Sequence, residues 1–83
     1  MEQTPLSLLS KTILKNRPII IFIRNNRKLL GYLRAYDKHL NLILENVKEL
    51  RTNVNFGSNN NFRERFFSKM ILRGDSIVVI VPV

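Results

Sequence analysis

Leu72-Arg73-Gly74-Asp75-Ser76-Ile77-Val78-Val79-Ile80-Val81 sets a polar turn against an uncharged apolar run, and Asp37-Lys38-His39-Leu40-Asn41-Leu42-Ile43-Leu44 repeats that pattern upstream. β-Branched side chains pack well on a pleated surface and lose rotamer freedom in helices. Both stretches therefore read as a tight turn feeding a strand. A run as apolar as Ile77 to Val81 is an aggregation site if it lies open at a sheet edge. Either a barrel closes over it or another chain pairs with it.

Working outward, Phe66 to Leu72 reads as the strand before the second turn, and Pro82 ends the strand after it. Leu42 to about Leu50 reads as the strand after the first turn, with Leu42 and Leu44 on one face. Lys28 to Tyr36 precedes that turn, with Leu30 and Tyr32 on one side and Leu29 and Leu33 on the other. Gly31 sits within it, where glycine marks a sharp bend or a bulge. Arg24-Asn25-Asn26-Arg27 is a polar turn, and Ile19 to Ile23 before it reads as a strand buried on both faces. A helix over about 4–15 opens the chain: Thr4 can cap it, Pro5 suits its first position, and Leu6, Leu9 and Ile13 share a face. Residues 51–65, rich in Asn, read as a long variable loop or a flaring hairpin tip. One helix and then five short strands, with a bend device in the second, predict a mostly β fold: a strongly bent antiparallel sheet forming a small open barrel.

Composition narrows the function. Eighty-three residues allow one domain, and a chain of that size is marginally stable. With no Cys and one His, neither a disulfide nor a structural zinc site is available, and no cofactor is expected. Assembly is the remaining route to extra stability. The apolar run Ile19 to Ile23 is far shorter than the ~20 residues of a membrane span, and Met1-Glu2-Gln3 lacks the basic start and apolar core of a signal peptide. Fourteen Lys and Arg against six Asp and Glu give a formal charge of +8, which points to a polyanionic partner.

The two turns carry residue types that hold an unstacked base. His39 offers a flat ring for stacking, Asn41 an amide with donor and acceptor, and Arg73 a planar cation for stacking or phosphate. Gly74 lets the backbone turn sharply and approach closely. Arg24, Arg27, Lys28 and Arg34 are candidate phosphate contacts, although each also fits a solvated surface charge. Phe66 and Phe67 read as core or interface, not as a stacking platform. Arg73-Gly74-Asp75 also spells an adhesion tripeptide, which between two strands reads as chance. Asp37 and Asp75 lie in different turns without a partner base, and His39 is too local to Asp37 to form a catalytic pair, so no enzyme and no small-molecule substrate are expected.

These residues resemble the Sm/LSm family over nearly the whole chain. Its first motif matches Asp37, then Asn41 and the strand Leu42-Ile43-Leu44, with Gly31 at the bend; its second matches Leu72-Arg73-Gly74-Asp75 with Ile77 to Val81. The stretches Arg24 to Gly31, Leu44 to Glu49 and Ser68 to Ser76 are most similar to the D-type Sm branch. The resemblance implies a single Sm domain over 1–83, with the first motif over about 19–50 and the second over about 66–81. It implies a seven-membered ring around a uridine-rich strand of spliceosomal small nuclear RNA, and a nuclear protein with a cytoplasmic assembly phase. The first D-type and F subunits would be its neighbours, with B, the third D-type, E and G completing the ring. His39, Asn41, Arg73 and Gly74 would form the base pocket, with Asp37 and Asp75 supporting the turns. The fourth strand would pair with a neighbour's fifth, placing Phe67, Lys69 and Ile71 on one side of that contact and Ile77, Val79 and Val81 on the other. The alternatives are an LSm-ring subunit similar to the third LSm protein, acting in RNA decay or U-tail binding, and a barrel that only scaffolds other proteins.

Overall fold

In the computed structural model, which describes residues 6–53 and 61–83, helix α1 (Leu6–Lys15) buries Leu9 and Thr12 against the sheet and leaves Leu14 in solvent. Thr4 and Pro5, expected to start this helix, lie outside the described residues. Its end is a left-handed cap at Asn16 (φ 53°): Asn16 N donates to Ile13 O and Arg17 N to Thr12 O, which satisfies carbonyls that the last turn leaves free.

Five strands follow: β1 (Pro18–Ile23), β2 (Arg27–Tyr36), β3 (Leu42–Asn53), β4 (Asn61–Leu72) and β5 (Ile77–Pro82), with a 3-10 turn at Gly74–Ser76. The sheet order is β4-β3-β2-β1-β5, and each pairing is antiparallel. The sheet does not close, so β4 and β5 are its two edges. The turn from β1 to β2 uses Asn25 and Asn26 at φ 68° and 58°, a left-handed region that Asn tolerates better than other side chains.

The core is one face of this bent sheet, with Leu9 of the helix over it. Leu29, Leu33, Leu42, Leu44, Val47, Leu72 and Ile80 point inward together with Ile19, Ile21 and Ile23. Burying each such side chain contributes roughly 1.5–3 kcal/mol. Strand β1 departs from the expectation of burial on both faces: its exposure alternates, and Phe22 is open to solvent. Among the described residues nothing covers Phe22 on the outer side of the sheet, so an unbroken apolar run does not imply two buried faces.

Two irregularities produce the curvature. Between the pairs Leu30↔Lys48 and Tyr32↔Glu45, Gly31 faces an extra residue on β3, and Asn46 there takes φ 53°. A Cβ on Gly31 would stand 3.0 Å from Val47 Cγ2 and 3.3 Å from Glu45 O, so glycine permits the close approach that the bend requires. The second shift lies between Leu33 and Ala35.

The hairpin is longer than expected. Arg51–Asn53 and Asn61–Arg65, read as a long loop or a flaring hairpin tip, belong to the β3–β4 ladder, which pairs Arg51 with Arg63 and Glu49 with Arg65 and so favours the hairpin. Polar residues on both faces carry no apolar alternation to betray a strand; cross-strand pairs such as Lys48–Glu64 (3.3 Å) stand in its place. The bulges also reassign faces. Phe67, opposite Val47, packs on the core, while Ile71 is exposed. Ile77 packs on the core too, because the β1–β5 register shifts between Phe22 and Ile23. Phe67 thus fits its reading as core or interface, and both it and Ile77 still lie on the edge strands β4 and β5. No helix among the described residues is long and apolar enough to cross a membrane.

Candidate functional site

The β3–β4 register sets Leu42 opposite Leu72, so the turn before β3 and the turn after β4 lie side by side. In the first, Asp37 organises the loop: its Oδ1 accepts from His39 N (2.8 Å) and Asn41 N (3.0 Å), and its Oδ2 accepts from Asn41 Nδ2 (3.0 Å). The Asn41 backbone bond, then that residue's side-chain bond, hold the Asp37 carboxyl below the ordinary aspartate range, with His39 adding to the effect. Leu40 is forced to φ 62°, a conformation that costs a non-glycine residue about 1–2 kcal/mol. Its N–H bond to Asp37 O (3.0 Å) and its packing on the core hold it there.

Asn41 then couples the turns. Its Oδ1 accepts from Gly74 N at 2.8 Å. Gly74 is irreplaceable on steric grounds: a Cβ there would stand 2.1 Å from His39 O and 3.0 Å from Leu40 C and O. The Asn41 amide is thus half used, with one N–H and one lone pair left for a third party. In the second turn, Ser76 Oγ and N both donate to Arg73 O. Arg73 is extended and four-fifths exposed, and its Nη2 lies 3.4 Å from Asp75 Oδ2. Both groups are solvated, so this pair holds the guanidinium weakly and leaves it available.

The structure brings Asp37, His39, Asn41, Arg73, Gly74 and Asp75 together across the two turns. The imidazole of His39 is exposed beside them. Leu40, the left-handed strut of the first turn, escaped sequence reasoning because nothing in a leucine signals positive φ. The four candidate phosphate residues do not join this cluster as a group. Arg34 is committed to Glu45 (2.6 Å) and Asn16 Oδ1 (2.7 Å), tying the helix end to the sheet. Arg27 pairs with buried Glu49 at 3.0 Å. Lys28 lies over the Phe22 ring, 5.7 Å from its centre. Arg24 is exposed, and its N–H donates to Ser76 O (3.2 Å), which places it next to the second turn. On the expected interface strands, Lys69 and Ile71 of β4 are exposed, Val79 is partly covered and Val81 is open. Among the described residues no cluster of His, Cys, Asp or Glu could hold a metal ion.

Known proteins share this fold. The LSM domain profile matches residues 10–82. Small nuclear ribonucleoprotein Sm D2 of Saccharomyces cerevisiae is 47% identical over 77 residues, covering 93% of this chain and 69% of the yeast protein. A heptameric archaeal Sm protein superposes with a TM-score of 0.68 at 28% identity, over 93% of this chain and 97% of that one. A Pyrococcus abyssi Sm protein, solved with a uridine heptamer, has a TM-score of 0.75 at 20% identity over 98% of this chain and all of the other, and shares the fold.

Proposed function

Because the chain belongs to the LSM domain family, we propose that it is a non-catalytic subunit of a seven-membered Sm ring that binds a uridine-rich single strand of small nuclear RNA. It would serve core ribonucleoprotein assembly and pre-mRNA splicing. The yeast Sm D2 likeness supports the spliceosomal assignment, and the heptameric archaeal relative supports the ring. The first D-type and F subunits are its proposed neighbours, through β5 and β4, and B, the third D-type, E and G complete the ring. It works in the nucleus after assembly in the cytoplasm. The whole chain acts as a single Sm domain.

One observation carries the reading: the Asn41–Gly74 bond locks two turns together while the His39 ring and the Arg73 guanidinium stay exposed beside it. A base held there stacks between the imidazole and the guanidinium, and its edge meets the remaining donor and acceptor of Asn41. Asp37 shapes the loop without touching RNA, and Asp75 steadies Arg73. Arg24, next to the second turn, is the phosphate contact that the geometry favours, with Lys28 further out. The uridine heptamer held by the Pyrococcus protein agrees with uracil as the base.

The test is a reconstituted ring carrying His39→Ala. The His39 side chain makes no hydrogen bond among the described residues, so the fold should survive. Loss of one stacked base, worth roughly 1–3 kcal/mol, should weaken uridine-oligomer binding by about five- to a hundredfold. Unchanged affinity and unchanged crosslinking of that oligomer, for this variant and for His39→Ala with Asn41→Ala, would remove His39 and Asn41 from the pocket.

A further inference from the structure

We propose that Leu40 is a positioning residue of the site: by anchoring its side chain on the core, it sets the gap between the His39–Asn41 turn and the Arg73–Gly74 turn into which a base fits. This deepens the base-pocket reading above and rests on it. Leu40 itself touches no base. On one side of it His39 is exposed, and on the other Asn41 bonds Gly74, while Leu40 packs inward.

The other polar bonds of the first turn are internal to it. Asp37 N donates to Asn41 O (3.2 Å) and Leu40 N to Asp37 O (3.0 Å), and the Asp37 carboxylate accepts from His39 N and Asn41 N. They fix the shape of the turn but not its distance from Gly74. Beyond the flanking strands, two links among the described residues set that distance: the bond from Gly74 N to Asn41 Oδ1, and the Leu40 side chain on the core. A single hydrogen bond is the softer link, because water competes for both of its groups. A side chain packed among core residues is the stiffer one, since protein interiors are close-packed and resist displacement. The backbone agrees with this division. Leucine at φ 62° is unfavourable, and such a conformation persists only where its surroundings over-determine it. The carbonyl group of Leu40 also forms the wall that Gly74 rests on, with its C and O 3.0 Å from where a Cβ on Gly74 would stand. A slip of Leu40 from the core would therefore carry His39, Asn41 and this wall together against the second turn. The stacking gap between the imidazole and the Arg73 guanidinium would change with it.

The experiment compares rings carrying the wild-type chain, Leu40→Gly, Leu40→Ile, Leu40→Met or Ile21→Val, with His39→Ala as the reference for a lost stack. Glycine accepts the left-handed backbone freely but has no anchor. Isoleucine keeps the apolar bulk, but its β-branch opposes positive φ. Methionine keeps the volume without the branch. Ile21, fully buried in β1 and paired with Leu29 and Ile80, tests stability alone. Three quantities are read: affinity for a uridine heptamer, exchange of the Gly74 amide proton, and melting temperature, with ring assembly checked by native mass spectrometry. Leu40→Gly and Leu40→Ile should weaken binding by about five- to a hundredfold, as loss of one stacked base does, and should speed Gly74 exchange. Leu40→Met should restore both. Ile21→Val should lower the melting temperature and leave both unchanged. Wild-type affinity in Leu40→Gly and Leu40→Ile, where His39→Ala weakens binding, overturns the proposal, as does unchanged Gly74 exchange in those two variants. An equal loss of affinity in Ile21→Val also overturns it, because Leu40 would then act only through stability. So does an equal loss in Leu40→Met, which keeps the anchor. Where Leu40→Gly does not assemble, Leu40→Ile against Leu40→Met decides in the same sense. If His39→Ala and Leu40→Gly both bind as wild type does while Gly74 exchange quickens in Leu40→Gly, the base pocket fails and the spacing role of Leu40 stands.

Discussion

Replacing Gly74 by Ala tests the contact that unites the two turns. The added Cβ would lie 2.1 Å from the carbonyl oxygen of His39 and 3.0 Å from the carbonyl carbon and oxygen of Leu40. All three are backbone atoms, so no side chain can rotate away. Relief requires the turns to part by about 1 Å or more, since non-bonded heavy atoms sit ~3.5 Å apart. That motion stretches the 2.8 Å bond from Gly74 N to Asn41 Oδ1 beyond hydrogen-bonding range. Overpacking costs about 1–3 kcal/mol, and the broken bond adds about 1, for a total of roughly 2–4. A domain of 83 residues has about 4–12 kcal/mol of stability, so the loss is a large share of it. Each kcal/mol shifts the melting point of so small a domain by about 4–8 °C, which gives a fall of roughly 8–30 °C. Circular dichroism melts at fixed protein concentration read it out, since assembly makes the midpoint concentration-dependent. Gly31→Ala is the control. Its nearest neighbour is a Val47 methyl at 3.0 Å, and the backbone atoms stand at 3.3 Å, so its cost should be clearly smaller. A Gly74→Ala melt within a few degrees of wild type, or a larger fall for Gly31→Ala, would refute the argument.

Three further substitutions probe the supports of the site. Tyr36→Phe removes the hydroxyl that meets Ser10 Oγ and Leu6 O; it should cost about 1 kcal/mol and raise hydrogen exchange in α1 more than in β3. Glu49→Gln leaves Arg27 without its 3.0 Å partner; discounted for the exposure of Arg27, the loss should be about 1–3 kcal/mol in denaturant melts, and Glu49→Leu should cost less than Glu49→Gln. The lowered pKa of Asp37 stabilises the fold above the ordinary aspartate range, and that contribution disappears as pH falls through the folded-state value. Acid unfolding should therefore begin at higher pH in Asp37→Asn, whose stability lacks that dependence and is lower at neutral pH; a wild-type acid transition at or above the ordinary aspartate range would contradict this.

Periodicity and turn chemistry made the order of elements legible. Gly31 within a strand announced the bend, and the Asn41 and Gly74 positions announced two turns of unusual residue content. The face of each strand was less legible. Asn46 at φ 53° and the shift beside Ile23 break simple alternation; Asn favours positive φ, but a lone Asn in a strand does not by itself locate a bulge, and nothing in Phe22-Ile23 marks the other. For the same reason the core packing of Ile77, on the edge strand β5, was not legible, whereas Phe67 read as core or interface and packs on the core from β4. The partners of the basic residues were also hidden, because Arg34 reaches Asn16 and Glu45 only once the helix folds back onto the sheet. Charge alone made Arg27 and Arg34 equal candidates with Arg24, and tertiary ion pairing separated them. The hairpin read only as one of two options, because Arg51-Thr52-Asn53 and Arg63-Glu64-Arg65 carry no apolar alternation to mark a strand.

The bend that builds the site also leaves it insufficient alone. Curvature at Gly31 and Asn46 wraps the sheet around one core without joining β4 to β5, so each chain keeps two unpaired edges. One edge carries Val79 and Val81, the other Lys69 and Ile71, and neither is blunted among the described residues by a proline inside the strand. Pairing these edges between subunits would satisfy the backbone groups left free. It would also set several copies of the two-turn pocket around a single axis. One stacked base contributes roughly 1–3 kcal/mol, short of the ~4 kcal/mol that corresponds to millimolar affinity. Pockets fixed around one strand turn each later contact into an intramolecular event. The open edges are therefore part of the binding chemistry: a charge such as Val79→Lys should abolish uridine-oligomer binding by preventing ring closure, although that residue touches no base. Retention of tight binding by a dispersed Val79→Lys chain would break this link between edge and pocket.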